Sequence, residues 1–167
     1  DTGRSLWTTR TFELDSGFAY TITGAPRVFG DKVVVGQSGG DFGVRGFVSA
    51  YDVETGEKRW KFFLAPGDPA KGPDGEVSDP VMERVRATWH GEEYWKLGGG
   101  ANPWDSIAYD PELDLVYVGT GNAVPHARHY RSANQGDNLF VCSIVALRGT
   151  TGEYVWHYQM NPGEEWD

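Results

Sequence analysis

The chain has 167 residues, a net charge of −9, 23 glycines and 14% aromatic residues. That length holds one domain with a core, and the negative balance argues against nucleic acid or an anionic membrane as partner. No run of about 18 apolar residues is present to cross a bilayer, and no basic-then-apolar leader opens the chain, so such a signal is expected upstream or already removed.

Glycine-rich, aromatic-rich composition predicts many short strands joined by tight turns. In chain order, Thr2-Gly3-x-x-x-Trp7 reads as a hairpin turn with a tryptophan opening the next strand. A strand pair is predicted over 28–36. Then Ala50-Tyr51-Asp52-Val53-Glu54-Thr55-Gly56-Glu57-Lys58-Arg59-Trp60 repeats the turn. The stretch 68–100, with Trp89, Tyr94 and Trp95, reads as a long loop covering the surface. A second strand pair is predicted over 107–119, followed by another long loop over 123–137. Leu139–Ile144 reads as a strand carrying Cys142, the single cysteine, as a buried inert thiol. The third copy, Thr151-Gly152-x-x-x-Trp156, has Arg148 where the second has Asp52. His90, His126, His129 and His157 have no ligand spacing and read as surface or blade residues.

Self-similarity of this kind points to four-stranded antiparallel blades, about 40–50 residues each before insertions. The predicted class is all-β, a β-propeller domain over 1–167. The expected parts are the end of one blade (1–17), a blade (18–67), the long loop (68–100), a blade (101–160) and the start of the next (161–167). One blade cannot bury both its faces, so blades must stack, with Trp7, Trp60 and Trp156 docking them. About two blades and part of a third do not close a ring, and the chain reads as a fragment.

Strand direction alternates within a blade. The segments before strand one, after strand two and after strand four therefore share one rim. That rim is predicted to gather Thr21, Thr23, Ser38, Gly39, Gly40 and Asp41 from the first blade, and Asn102, Trp104, Thr120 and Asn122 from the second. Glu164 to Asp167 join them. Asp41 and Asn122 are hard oxygen donors suited to a cation such as Ca²⁺. Gly39 and Gly40 allow close approach to backbone, Trp104 offers a flat apolar face, and Asp167 is a candidate general base.

Ile22-Thr23-Gly24-Ala25-Pro26, Ser38-Gly39-Gly40-Asp41-Phe42-Gly43-Val44-Arg45-Gly46, Gly98-Gly99-Gly100 with Trp104-Asp105-Ser106, Tyr117-Val118-Gly119-Thr120-Gly121-Asn122 and Pro162-Gly163-Glu164-Glu165-Trp166-Asp167 occur in this order. Together they resemble the pyrroloquinoline quinone (PQQ)-dependent methanol and ethanol dehydrogenases. Gly136-Asp137-Asn138-Leu139 and Ser143-Ile144-Val145-Ala146-Leu147 lean toward the ethanol type. The resemblance implies an eight-bladed propeller, a periplasmic location, and PQQ bound with Ca²⁺ or a lanthanide. It also implies a small alcohol as substrate, a cytochrome c-type electron acceptor and the rest of the propeller chain as partner.

By position, the resemblance makes Asp41, Asn122 and Asp167 metal ligands, with Asp167 also the catalytic base. Thr23, Ser38, Gly39, Gly40, Asn102 and Trp104 become cofactor-binding residues. Three positions depart from the family pattern. Asp41 is one methylene shorter than the usual glutamate, Gly40 stands where alanine is common, and Asn102 falls near a threonine position. A non-catalytic propeller scaffold for protein binding is the other reading; it gives no reason for Asp41, Asn122, Trp104 and Asp167 to occur together. The 167 residues by themselves are expected to be inactive.

Overall fold

Glycine at the Thr-Gly turns is required by conformation, since Gly56 and Gly152 have φ of 74° and 76°, a region that L side chains avoid. The computed structural model of the chain describes residues 2–13 and 16–165. Ten strands are described: β1 (Arg27–Phe29), β2 (Lys32–Gly36), β3 (Phe47–Asp52), β4 (Lys58–Phe63), β5 (Gly99–Gly100), β6 (Ile107–Asp110), β7 (Leu115–Gly119), β8 (Ala123–Val124), β9 (Ser143–Arg148) and β10 (Tyr154–Gln159). They form two antiparallel four-stranded sheets, in the orders β1-β2-β3-β4 and β10-β9-β7-β6, with β5 and β8 as a small third pair. Both large sheets break register at the same point of the repeat, between Ala50 and Tyr51 in one and between Tyr154 and Trp156 in the other.

The tryptophans join one sheet to the next. Trp60 donates its indole N–H to Gly149 O at 3.1 Å. A Cβ on Gly152 would stand 2.6 Å from Trp60 Cδ2, so only glycine admits the ring. One repeat earlier, Trp7 donates to Val53 O at 3.0 Å, and a Cβ on Gly56 would lie 2.5 Å from its Cε3. Phe29 and Tyr109 add a stacked pair between the sheets, with centroids 3.9 Å apart.

The two turns solve one problem with different residues. Asp52 Oδ1 accepts from the Glu54 and Thr55 backbone N–H groups at 2.9 and 2.8 Å, and its other oxygen pairs with Arg59. The Arg59 bond and the turn amides hold this carboxyl at a pKa of about 2. In the later repeat Arg148 occupies that place, and Asp114, on the neighbouring hairpin, binds Thr150 N and Oγ1 at 3.2 and 2.8 Å. Burial works to raise the Asp114 pKa; the Thr150 and Tyr109 bonds overcome it and the net shift is downward.

The stretch 68–100 is not a plain surface cover. It contains helices α1 (Asp79–Arg86) and α2 (Glu93–Lys96), and Val81, Met82, Val85, Trp89 and Tyr94 enter the core cluster with Val48, Phe62, Val116 and Val145. Val81, Met82 and Val85 share one face of α1, and each buried side chain contributes about 1.5–3 kcal/mol. A third helix, α3 (Arg128–Ser132), lies in the second long connection, so the β architecture carries its short helices in the long connections. The strand expected from Leu139 begins only at Ser143. Asn138 and Cys142 have φ of 53° and 45° and turn the chain there. Cys142 is therefore a half-buried turn residue rather than a buried strand thiol. Among the described residues no helix is long and apolar enough to cross a membrane.

Candidate functional site

The rim predicted from strand alternation exists as one cleft. Thr21, Thr23, Ser38, Gly39, Gly40, Asp41, Asn102, Trp104, Thr120 and Asn122 line a cavity of about 600 Å³, within the range of small-molecule sites. Phe42 and Cys142 complete its wall. Thus every cofactor residue expected from the sequence, and both metal residues within the described part, meet there. Asp167, the expected base and third ligand, lies outside the described residues.

The first sheet supplies one half. Thr21 and Ser38 pair as an isolated bridge, with Ser38 N–H donating to Thr21 O at 2.8 Å. The Thr23 and Ser38 hydroxyls lie 2.7 Å apart, and Ser38 Oγ also accepts from Thr23 N–H at 3.2 Å. After Ser38 the chain makes one 3-10 turn over Gly40–Phe42, bracketed by Gly39 at φ 101° and Gly43 at 75°. A Cβ on Gly39 would come 2.6 Å from Ala19 O, which excludes other residues. The turn carries Asp41 to the mouth, with 78% of its side chain exposed.

The second sheet supplies the other half. Gly121 N–H donates to Asn102 O at 3.0 Å and Ala101 N–H to Asn122 O at 2.9 Å, which locks the Asn102 segment against the end of β7. Trp104 lies open over this join, 57% exposed. Asn102 is only 3% exposed; its Nδ2 donates to Gln37 Oε1, and Gln37 Nε2 in turn donates to Ser38 O. Asn102 Oδ1 is buried with no hydrogen-bond partner. It lies 2.9 Å from where a Cβ on Gly40 would be. The departures at positions 40 and 102 therefore fit each other: glycine leaves the room that the longer carboxamide uses.

These observations suit a planar, polar ligand. Hydroxyls line one edge, an open indole offers a face, and a buried acceptor lacks a protein donor, a cost of about 1–3 kcal/mol unless something meets it. The described lining contains no Lys or Arg, so a polyanionic ligand needs a cation brought with it. No three His, Cys, Asp or Glu side chains form a metal cluster among the described residues; a site here needs the Asn122 amide and the Asp41 carboxylate together.

Three residues emerge that the sequence reading gave no chemical part. His126, taken for a surface or blade residue, sits with Nε2 3.5 Å from Asp41 Oδ1 and 3.4 Å from Asn122 Nδ2. Its spacing four residues after Asn122, on the same rim loop, was the available signal. Arg131 is fully buried in α3. Its guanidinium donates to Pro125 O, His126 O, Asn138 Oδ1 and Glu164 O at 2.6, 2.7, 3.1 and 2.5 Å. Burial lowers the Arg131 pKa against the opposing pull of Glu164 and Glu165. Glu164, read only as a member of the rim, is 2% exposed and accepts Ala123 N–H through Oε2 at 3.0 Å. Together Arg131 and Glu164 tie the loop after Asn122 to the segment that leads to Asp167. Arg45 holds the long connection, donating to Ala65 O and to both Asp74 oxygens at 2.7 Å each.

The profile of the family described as "Glucose/ethanol/alcohol dehydrogenase, beta-propeller domain" matches residues 3–167. The chain is 52% identical to quinohemoprotein alcohol dehydrogenase ADH IIB of Pseudomonas putida, over 99% of its own length and 23% of that protein's. Its structure is similar to quinohemoprotein alcohol dehydrogenase ADHIIG from P. putida HK5, with a TM-score of 0.91 at 52% identity over 99% of this chain and 24% of that one. It is also similar to a europium-containing methanol dehydrogenase, with a TM-score of 0.77 at 41% identity over 99% of this chain and 29% of that one. The chain thus spans about a quarter of the length of these relatives.

Proposed function

Because this chain belongs to the β-propeller domain family of PQQ-type glucose, ethanol and alcohol dehydrogenases, we propose that it forms one wall of the quinone and metal site of an enzyme that oxidises a primary alcohol to an aldehyde. The observation that carries the reading is the meeting of Thr23, Ser38, Gly39, Gly40, Asp41, Asn102, Trp104 and Asn122 around one cleft from two sheets. The names of its relatives, which include quinohemoprotein alcohol dehydrogenases and a lanthanide-dependent methanol dehydrogenase, support PQQ with Ca²⁺ or a lanthanide as the ligands.

When bound, the quinone with its ion supplies the hydride acceptor and a Lewis acid at a carbonyl oxygen. Asp41 and Asn122 would hold the ion as oxygen donors, and the ion's positive charge would offset the lack of a lysine or arginine in the lining. Thr23 and Ser38, whose hydroxyls share one hydrogen bond, would leave one O–H to donate to a carboxylate edge. Trp104 covers one ring face and excludes water from it. Asn102 Oδ1 would accept a hydrogen bond from an N–H or O–H of the ligand, which would relieve its unpaired burial. Asp167 takes the hydroxyl proton of the alcohol. A cytochrome c-type acceptor would take the electrons, and the net charge of −9 on this chain is compatible with a basic partner. A periplasmic location goes with this reading.

The test is reconstitution of the full-length protein with PQQ and either Ca²⁺ or La³⁺. A quinone absorbance together with dye reduction by ethanol supports the proposal. Neither signal with either ion contradicts it and favours a non-catalytic scaffold.

A further inference from the structure

We propose that His126 is a further protein donor, beside the expected Asp41, Asn122 and Asp167, to the ion of this cleft, an inference that rests on the metal-site reading above. Its Nε2 stands 3.5 Å from Asp41 Oδ1 and 3.4 Å from the Asn122 carboxamide nitrogen. A half-turn of that carboxamide exchanges Oδ1 for Nδ2 and gives up the long Nδ2 donation to Ala123 O at 3.3 Å. Donors bound to one ion at about 2.1–2.4 Å sit roughly 3–3.5 Å from each other. The imidazole nitrogen is therefore spaced from both residues as a fellow ligand would be.

Nε2 is the ring nitrogen on the Asp41 side, while Nδ1 is buried in the wall with no hydrogen-bond partner, so binding through Nε2 has to outweigh an unpaired Nδ1–H. The backbone on either side does not drift, because Arg131 Nη1 donates to Pro125 O at 2.6 Å and to His126 O at 2.7 Å. A rigid donor loses little freedom when it binds. The chemistry also leaves room for a further donor in the quinone-free protein. Asp41, Asn122 and the expected ligand Asp167 offer at most five oxygens among them, whereas a hard cation takes six to eight ligands. Imidazole is a borderline donor, so its share of the binding is larger for Mn²⁺ than for Ca²⁺ or La³⁺.

The experiment titrates the full-length apoprotein, free of quinone, with CaCl₂, LaCl₃ and MnCl₂ by calorimetry. It uses the wild type, His126→Ala, His126→Gln and Asn122→Ala. In parallel, pulsed electron paramagnetic resonance on the Mn²⁺ form looks for nitrogen coupling, with ¹⁴N-histidine and ¹⁵N-histidine protein compared. The expected result is a histidine ¹⁴N coupling in the wild type that changes on ¹⁵N-histidine labelling and disappears in both His126 variants. His126→Ala then weakens Mn²⁺ binding about tenfold or more, and Ca²⁺ and La³⁺ binding less. A wild-type Mn²⁺ spectrum without histidine coupling, while Asn122→Ala still weakens binding, overturns the part of His126 and leaves the metal site standing. Unchanged affinities in Asn122→Ala as well as in the His126 variants overturn both. The wild-type spectrum needs no variant to fold.

Discussion

The docked turns and the cleft treat their polar groups in opposite ways. At the turns each group finds a partner within the chain. Trp7 and Trp60 place their indole N–H groups on carbonyls of the next repeat, and Asp52 and Asp114 accept from turn amides. In the cleft the carboxylate of Asp41 is 78% exposed, Trp104 is 57% exposed, and Asn102 Oδ1 is buried without a partner. The difference teaches that one region spends its chemistry on holding sheets together and the other keeps it for a ligand. Unsatisfied groups persist where function needs them, supported by a rigid frame.

Substitutions at the two regions are expected to part company. The largest stability effect belongs to Gly152→Ala. It places a Cβ 2.6 Å from Trp60 Cδ2 on a residue at φ 76°. Denaturant unfolding of the full-length protein is expected to show a loss of about 2–4 kcal/mol, with metal affinity of the folded fraction unchanged. A loss in metal affinity equal to that of Asn122→Ala would erase the distinction between the regions. Asn122→Ala is its mirror: about a tenfold or greater loss of ion binding by calorimetry, with a midpoint of unfolding close to wild type in the absence of ion.

Two smaller effects sharpen the comparison. Gly40→Ala pushes on Asn102 Oδ1, and Asn102→Ser removes that obstacle, so the double variant is expected to recover about 1 kcal/mol relative to the sum of the singles. Strict additivity would mean that the two positions are not coupled. The least effect is the acid dependence of the Asp52 turn. Its folded pKa of about 2 lies below the ordinary 3.8. Its contribution is therefore complete above pH 4 and fades as pH falls toward 2. Asp52→Asn is expected to flatten the stability curve between pH 4 and 2 and to leave the slope above pH 5 untouched.

The blade plan was legible because Thr-Gly-x-x-x-Trp marks a turn and a docking ring in a few residues. The hairpins over 28–36 and 107–119 alternate as strands must. The cleft followed, since reversal at each turn sends Ser38–Asp41 and Thr120–Asn122 to the same rim. The remaining features depend on contacts far apart in sequence. Val81, Met82 and Val85 carry a helical spacing, yet glycines and prolines around them made the whole stretch read as loop. Leu139–Val141 is apolar enough for a strand, but positive φ at Asn138 and Cys142 bends it into a turn. Nothing local announces that Arg131 is buried, because its partners come from three separate segments. His126 meets Asp41 only because its loop folds back beside the 3-10 turn.

The most direct test of a shared ion site is anomalous diffraction from crystals of the full-length protein soaked in La³⁺. A lanthanum peak within about 2.6 Å of both an Asp41 oxygen and Asn122 Oδ1 is the expected result. Lanthanum found only on other acidic side chains, with Asp41 and Asn122 bound to no common ion, would contradict it.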